Sequence, residues 1–320
     1  MASPPHEKIS ADATSPTATA AVQAGHGEVC VRLSGRLGNQ MFQYAAGLAV
    51  ARRLNLPLTL DGSARVEKLP FIRAFSIKEP CYHSGFSLGE RVARLLARRL
   101  RGLRLRLRKR GLPIFAEAST FDPEFFQLSG SCHLLGYWQS ADYFSSVEDE
   151  VRRIFATARF SSADGPHQAY LGEILAAVRP VAVHLRRGDY ASNPRTRRRF
   201  GLCSRAYYDR ARRHIEEGAR ENTARPHYFV FSDDPQAARV ELADWTDTTF
   251  VEGQSTGEDL HLISRCRQAI LANSTFGWWG AWLIAPAADK RVIAPAQWYA
   301  PAMQARKPTT RLCPPDWERL

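Results

Sequence analysis

Val181-Ala182-Val183-His184-Leu185-Arg186-Arg187-Gly188-Asp189-Tyr190 is an apolar run that breaks into two arginines and a glycine. Val181 to Leu185 reads as a buried strand, with Pro180 before it and Gly188 after it. In open α/β sheets, ligands bind just beyond the carboxyl ends of the strands, which is where Arg186 and Arg187 fall. Arginine presents a rigid fork of donors that fits phosphate oxygens, and it stays charged at working pH. The segment therefore has the chemistry of a diphosphate clamp. An isolated arginine pair is more often solvated surface charge, so the rest of the chain has to decide.

Downstream, strands alternate with helices. Ser204 to Gly218 reads as a helix with Ser204 as its cap. Tyr228 to Phe231 is a strand that ends in Ser232-Asp233-Asp234-Pro235, followed by a short helix from Pro235 to Leu242. Thr249 to Val251 is a strand, Gly257 to Arg267 a helix, and Ala269 to Ala272 a strand. Asn273-Ser274-Thr275-Phe276 is then a loop before a helix at Gly277 to Ile284, and Arg291 to Ala294 is a last strand. Upstream, Glu28 to Leu33 is a strand, Ser34 to Gln40 a glycine loop, Met41 to Leu54 a helix, and Leu56 to Leu60 a second strand. A strand beginning at Cys132 runs into the aromatic-polar loop of Tyr137, Trp138 and Gln139, and helical signals return from Ala141 to Phe155. Phe160 to Gln168 is expected as a linker. This alternation argues for parallel sheets, and two such halves predict two Rossmann-like domains with a cleft between them.

The chain of 320 residues carries a net charge of +12, which admits nucleic acid, a membrane surface or a phosphorylated substrate as partner. The excess is densest between Arg91 and Arg110, where leucines such as Leu95, Leu96 and Leu103 interleave with arginines. Such a helix suits anionic lipid or another polyanion; a solvated helix with one packed face fits equally. Interleaved aromatics are missing, which counts against single-strand stacking. The cysteines (Cys30, Cys81, Cys132, Cys203, Cys266, Cys313) are too scattered for a zinc or redox pair, as expected of reduced thiols in the cytosol. Residues 1–27 carry no signal-peptide pattern and read as a disordered tail rich in Ala, Ser, Thr and Pro. No apolar run approaches the length of a membrane span.

The strand ends of the second half present Arg186 and Arg187, then Asp233 and Asp234, then Asn273, Ser274, Thr275 and Phe276. Cations for phosphate, carboxylates for ribose or base, and small donors beside a ring suit a nucleoside diphosphate. Asp233-Asp234 also invites a metal, but the arginines make one redundant. Trp279 and Trp282 are expected to pack. Glu258 and Asp259 begin a helix, where dipole complementation and ligand contact are both open. Gly35-Arg36-Leu37-Gly38-Asn39-Gln40 lacks the Lys-Ser/Thr of a P-loop and the third glycine of a dinucleotide fingerprint. Its amides suit sugar hydroxyls, and a tight turn before a helix accounts for it as well.

Gly35-Arg36-Leu37-Gly38-Asn39-Gln40-Met41-Phe42-Gln43-Tyr44-Ala45, His184 to Asp189, Phe231-Ser232-Asp233-Asp234 and Ala272 to Trp282 occur in the order of the α-1,2-fucosyltransferases of glycosyltransferase family 11, which the chain resembles over residues 29–300. The resemblance implies an α/β GT-B fold, two Rossmann-like domains facing each other across a cleft. On that reading a tail, 1–27, precedes an N-terminal acceptor-side domain, 28–165, with a basic helical insertion near 88–112. A C-terminal GDP-sugar domain, 170–310, and a tail, 311–320, follow. The implied reaction moves L-fucose from GDP-β-L-fucose, with inversion and without a metal or other cofactor. The acceptor is the 2-hydroxyl of a terminal galactose-like residue on a surface glycan, an O-antigen or similar, lipid-linked acceptors included.

By the same resemblance Arg187 contacts the β-phosphate with Arg186 in support, and Asn39 lies near the reacting sugar. His184, Asp233, Asp234, Asn273, Ser274, Thr275, Phe276, Gly38 and Gln40 are donor-side residues. Tyr137, Trp138 and Gln139 are acceptor-side. His184, Asp189 and Glu258 are the general-base candidates. The expected location is cytoplasmic, with peripheral contact to the anionic inner face of the membrane. A related transferase using another nucleotide sugar is the alternative, and a basic nucleic-acid-binding protein the more distant one.

Overall fold

The computed structural model describes residues 27–62, 69–85, 87–99, 107–118, 121–157, 165–217, 224–307 and 309–320. Residues 1–26 of the expected tail, 100–106 of the basic segment and 160–164 of the expected linker lie outside the described residues.

Two sheets form the framework. The first contains β1 (Val29–Leu33), β2 (Leu58–Gly62), β3 (Cys81–His83), β4 (Arg108–Lys109), β5 (Leu112–Ala116) and β6 (Cys132–Leu135). Their order is β3-β2-β1-β6-β5-β4, parallel except for β4 against β5. Its helices are α1 (Leu37–Leu54), α2 (Pro70–Ala74), α3 (Leu88–Arg99) and α4 (Glu148–Phe155).

The second sheet contains β7 (Pro180–Leu185), β8 (His227–Ser232), β9 (Thr248–Val251), β10 (Gln268–Ile270), β11 (Arg291–Ala294) and β12 (Glu318–Arg319). Its order is β12-β11-β10-β7-β8-β9, all parallel. Counted from β7 this is 3-2-1-4-5-6, the order of dinucleotide-binding folds, whose ligand crevice lies where the order reverses. The helices around it are α5 (Pro166–Ala176), α6 (Gly188–Ser192), α7 (Pro194–Phe200), α8 (Arg205–Glu217), α9 (Pro235–Glu241), α10 (Thr256–Arg265), α11 (Thr275–Leu283) and α12 (Pro301–Gln304). The reversal falls between β7 and β10 here, and between β1 and β6 in the first sheet.

β1 and β7 are buried along their whole length, as strands covered on both faces must be. α1 is buried from Leu37 through Ala51 apart from Asn39, so it serves as a central rather than a surface helix. It stops at Asn55, whose left-handed φ of 52° lets its N–H reach the carbonyls of Ala51 and Arg52. An aromatic weld joins the halves: Phe42 of α1 lies 4.5 Å from Trp278 and 4.8 Å from Trp279, and Phe144 stacks 5.3 Å from Trp279. Trp279 and Trp282 pack as expected, and so does Trp278.

Three sequence expectations are corrected. The glycine loop is shorter than expected, because α1 begins at Leu37 and carries Gly38, Asn39 and Gln40 in its first turns. Gln168 belongs to α5 rather than to a linker. Residues 311–320 are not a tail: β12 completes the second sheet, Trp317 lies 5.5 Å from Trp278, and the Trp278 indole donates to the Leu312 carbonyl.

Beneath α3, five ionisable side chains share one buried site. Arg32 and Lys109 each lie 3.0 Å from Asp61, and Lys109 lies 2.6 Å from Glu90, which His133 approaches at 3.4 Å. Burial alone would raise the Glu90 carboxyl. Hydrogen bonds from His133, Lys109 and Ser87, with the charge of Arg32, hold it well below the usual carboxylate range. Asp61, Glu90 and His133 stand close enough to share a cation. Two resident cations already neutralise the two carboxylates, so the cluster is a closed ion network rather than a metal centre.

Candidate active site

The loops after both switch points meet in one cleft of about 610 Å³, within the usual size of small-ligand sites. On one side stand the loop after β7 and the segment between β10 and α11; on the other, the loop after β1 and the loop after β6.

Arg186 and Arg187 follow directly on the end of β7, and their side chains go to different places. Arg186 lines the cleft. Its guanidinium lies 2.5 Å from Asp189 and 3.0 Å from Asp233, and 5.2 Å from the centre of the Tyr190 ring. Arg187 turns inward. Its guanidinium pairs with Glu241 and donates to the carbonyls of Cys203 and Arg186, at 3.0 and 2.8 Å. The expected phosphate ligand is thus placed in a brace behind the loop, and its neighbour faces the ligand space. Asp233 holds the same loop, accepting from the Arg187 N–H at 2.8 Å. Gly188 is required there, since a Cβ would stand 2.0 Å from Asp233 Oδ2.

His184 lies under the cleft floor against Gly277, where a Cβ would come within 2.7 Å of its Nδ1, and 5.5 Å from the Phe276 ring. Burial and then Arg186 push its imidazole down to about 3, so it is neutral at working pH. Asn273 donates to the carbonyls of Phe200 and Trp298, fixing the cleft wall. Ser274 caps α11 by accepting from the Phe276 N–H at 3.3 Å.

Asn39 is the junction between the halves. Its Oδ1 accepts from Gln139 Nε2 at 2.8 Å and from Thr275 Oγ1 at 3.3 Å. Gly38 permits that approach, because a Cβ there would lie 2.6 Å from the Thr275 carbonyl carbon. At the cleft rim Arg36 reaches 3.2 Å from Asp189.

Four more predicted site residues lie away from the ligand space. Asp234 caps α9 by accepting from the Ala237 N–H. Gln40 bridges the Gly35 carbonyl and the Phe71 N–H. Trp138 is fully buried against Phe115, Phe125 and Tyr143. Glu258 is buried in a capping box with Ser255.

Asp259, which the sequence leaves open between helix end and ligand contact, is placed in the cleft, and Gln43 enters as a residue that sequence reasoning passed over. Asp259 lines the cleft, its carboxyl pushed up to about 7 by burial and then by Glu258. Ser255-Thr256-Gly257-Glu258 is a capping-box pattern; read as such, it commits Glu258 to the helix end and leaves Asp259 for the cleft. Gln43 accepts from the Ser34 N–H at 2.8 Å and donates to the Gly136 carbonyl at 2.8 Å, tying the two loops of the first switch point together.

Two facing parallel-sheet domains with an arginine-bearing cleft at their switch points define a glycosyltransferase of the GT-B class. Residues 117–318 match glycosyl transferase family 11. The chain belongs to that family and is a glycosyltransferase. It is similar to the α-1,2-colitosyltransferase of Escherichia coli, 32% identical over 91% of this chain and 98% of that protein. It is also similar to the O-antigen biosynthesis glycosyltransferase WbnK of E. coli, 31% identical over 84% and 94%. Among solved structures it resembles the fucosyltransferase NodZ from Bradyrhizobium, with a TM-score of 0.50 at 17% identity, over 81% of this chain and 93% of that one.

Proposed function

We propose that the protein transfers L-fucose from GDP-β-L-fucose to the 2-hydroxyl of a terminal galactose-like residue, with inversion, forming an α-1,2 linkage. The observation that carries this reading is Arg186: a cation at the Rossmann switch point, facing the cleft, with its neighbour Arg187 locked behind it. As the bond from sugar to phosphate breaks, negative charge grows on the departing diphosphate and the sugar becomes oxocarbenium-like. A fixed guanidinium stabilises that charge more in the transition state than in the ground state. Arg186 does this without proton transfer or a metal, so we infer that activity survives chelation. Asp259, free of side-chain hydrogen bonds among the described residues, suits the paired N–H donors on the edge of guanine. Asn39, set by Gln139 and Thr275, stands where a sugar hydroxyl crosses between the halves.

The colitosyltransferase likeness supports a second donor. Colitose is fucose without its 3-hydroxyl. A site that hydrogen-bonds that hydroxyl rejects the deoxy sugar by about 10⁴-fold or more, whereas an apolar one does not. The deciding experiment incubates the protein with GDP-fucose, GDP-colitose, GDP-mannose and UDP-sugars and galactose-terminated acceptors, then assigns linkage and anomeric form by NMR. Transfer of fucose in an α-1,2 linkage is expected. Turnover of a UDP-sugar alone, or a β-linked product, refutes the reading.

We also infer a cytoplasmic location with peripheral contact to anionic membrane, where lipid-linked acceptors lie. In support, α3 carries residues 91–99 of the basic segment 91–110, and Leu88 and Leu95 on this helix are 77% and 50% exposed. No helix among the described residues is long and apolar enough to cross a membrane. Charge reversal at Arg98, Arg99 and Arg101 should release the protein from anionic vesicles, and unchanged binding refutes the contact.

A further inference from the structure

A small niche opens from the cleft on its N-terminal side and shares Tyr137, Gln139, Tyr299 and Lys307 with it. Glu117, at the end of β5, lines the niche with Thr310 and Arg311. The segment carrying Thr310 and Arg311 belongs to the C-terminal half, so both halves build the wall. The free space is about 40 Å³. A water needs roughly 10–15 Å³ by that measure, so the niche takes hydroxyl-sized groups and no whole pyranose.

The carboxylate is held with care. Glu117 Oε2 accepts from the Tyr137 N–H at 2.8 Å and Oε1 from the Trp138 N–H at 3.1 Å. Two consecutive peptide N–H groups reach one carboxylate because Trp138 adopts a left-handed φ of 54°, a conformation that costs a bulky residue of the order of 1–3 kcal/mol and concentrates at functional sites. The same turn needs Gly136, since a Cβ there would stand 2.5 Å from Glu117 Cβ. Each oxygen accepts one backbone N–H and keeps a second lone-pair site. The Tyr137 and Tyr299 rings, the Gln139 amide and the Thr310 hydroxyl supply the mixture of flat apolar faces and short polar groups that suits a sugar edge.

We propose that this niche is the acceptor subsite: a pyranose lies in the cleft beside Tyr137 and Tyr299, and one of its hydroxyls enters the niche and donates to Glu117. The inference rests on the glycosyl-transfer reading above and names the residue that reads the acceptor.

The test measures binding of methyl β-D-galactopyranoside by ligand-observed NMR, with and without GDP, and GDP affinity separately by calorimetry. The full chain and its Glu117→Gln and Thr310→Leu variants are compared. Leu at 310 fills the niche from the C-terminal half without touching the turn at 136–139. Both variants are expected to lose tenfold or more in galactoside affinity while GDP affinity stays within twofold. Galactoside affinity unchanged in Thr310→Leu overturns the proposal, whether or not the Glu117 variant folds. Parallel loss of galactoside and GDP in both variants also overturns it, reducing Glu117 to a brace for the loop that carries Gln139. Wild-type protein that binds GDP but no galactoside overturns the subsite and leaves the donor reading standing. Galactoside binding without GDP binding does the reverse.

Discussion

The first two strands of each half lead to the same pairing, an arginine from one against an aspartate from its parallel neighbour. In the N-terminal half the pair is Arg32 and Asp61, direct partners in the β1–β2 register. In the C-terminal half it is Arg186 and Asp233, one step past the last β7–β8 partners, Leu185 and Ser232. That single step separates architecture from site. Arg32 and Asp61 are 1% and 0% exposed, enclosed by Glu90, Lys109 and His133. Arg186 and Asp233 are 11% and 24% exposed and look into the cleft. Within a strand the charges are neutralised by protein partners out of reach of solvent; beyond its end the arginine is also paired, with Asp189 and Asp233, but it lines the cleft where a ligand can reach it.

The largest effect that divides the two pairs is on folding. Asp61→Ala leaves Arg32 and Lys109 with Glu90 as their remaining carboxylate in a buried site, and removing one partner of a buried pair costs about 3–5 kcal/mol. Urea unfolding should show that loss, while Asp233→Ala costs clearly less. Equal losses would erase the distinction. Next comes Arg186→Ala, expected to lower transfer by on the order of a hundredfold or more, the usual scale for removing one transition-state donor, with the unfolding midpoint little changed. Lysine at 186 should restore little, since the fork of donors is lost. Arg187→Ala should weaken both folding and turnover, because Glu241 and two carbonyls lose their donor. If Arg186→Ala transfers normally and Arg187→Ala alone fails without unfolding, the assignment of the two arginines is reversed.

Much of the C-terminal half is readable from the chain alone. Its strands are apolar runs closed by polar loops, and their alternation with helices leaves few topologies. The cleft residues were harder to sort, because the sequence lists neighbours while the site selects directions. Arg186 and Arg187 look equivalent until their partners separate them, Glu241 and the Cys203 carbonyl holding one behind the loop while the other lines the cleft. Glu258 and Asp259 look equivalent until the capping box claims one. Trp138 sits between two cleft residues yet is core, since the left-handed turn set by Glu117 rotates it inward, and no local pattern announces that carboxylate from twenty residues upstream. β12 went unread because two residues pairing with β11 carry no periodicity; only the tertiary register makes them a strand.

The smallest effect expected is a pH dependence with two opposite signs. Burial raises the Asp259 carboxyl to about 7, and Glu117 likewise; unfolded carboxyls titrate near ~4. Between about pH 4 and pH 7 the folded protein therefore holds protons that the unfolded chain has released. The slope of stability with pH is then negative across that window and flat above it. Binding of GDP should run the other way. Asp259 must be ionised to accept from the guanine edge, so GDP affinity should rise as pH climbs toward 7 and level off beyond it. The network under α3 contributes the opposite slope to folding only at far lower pH, because Glu90 is held well below the usual carboxylate range. Calorimetry from pH 5 to 8 separates the two signs, and Asp259→Asn should flatten the binding curve while leaving the Glu117 share of the folding slope. A GDP affinity that falls with rising pH would remove Asp259 from the base pocket and leave the phosphate-side assignment of Arg186 to stand on its own test.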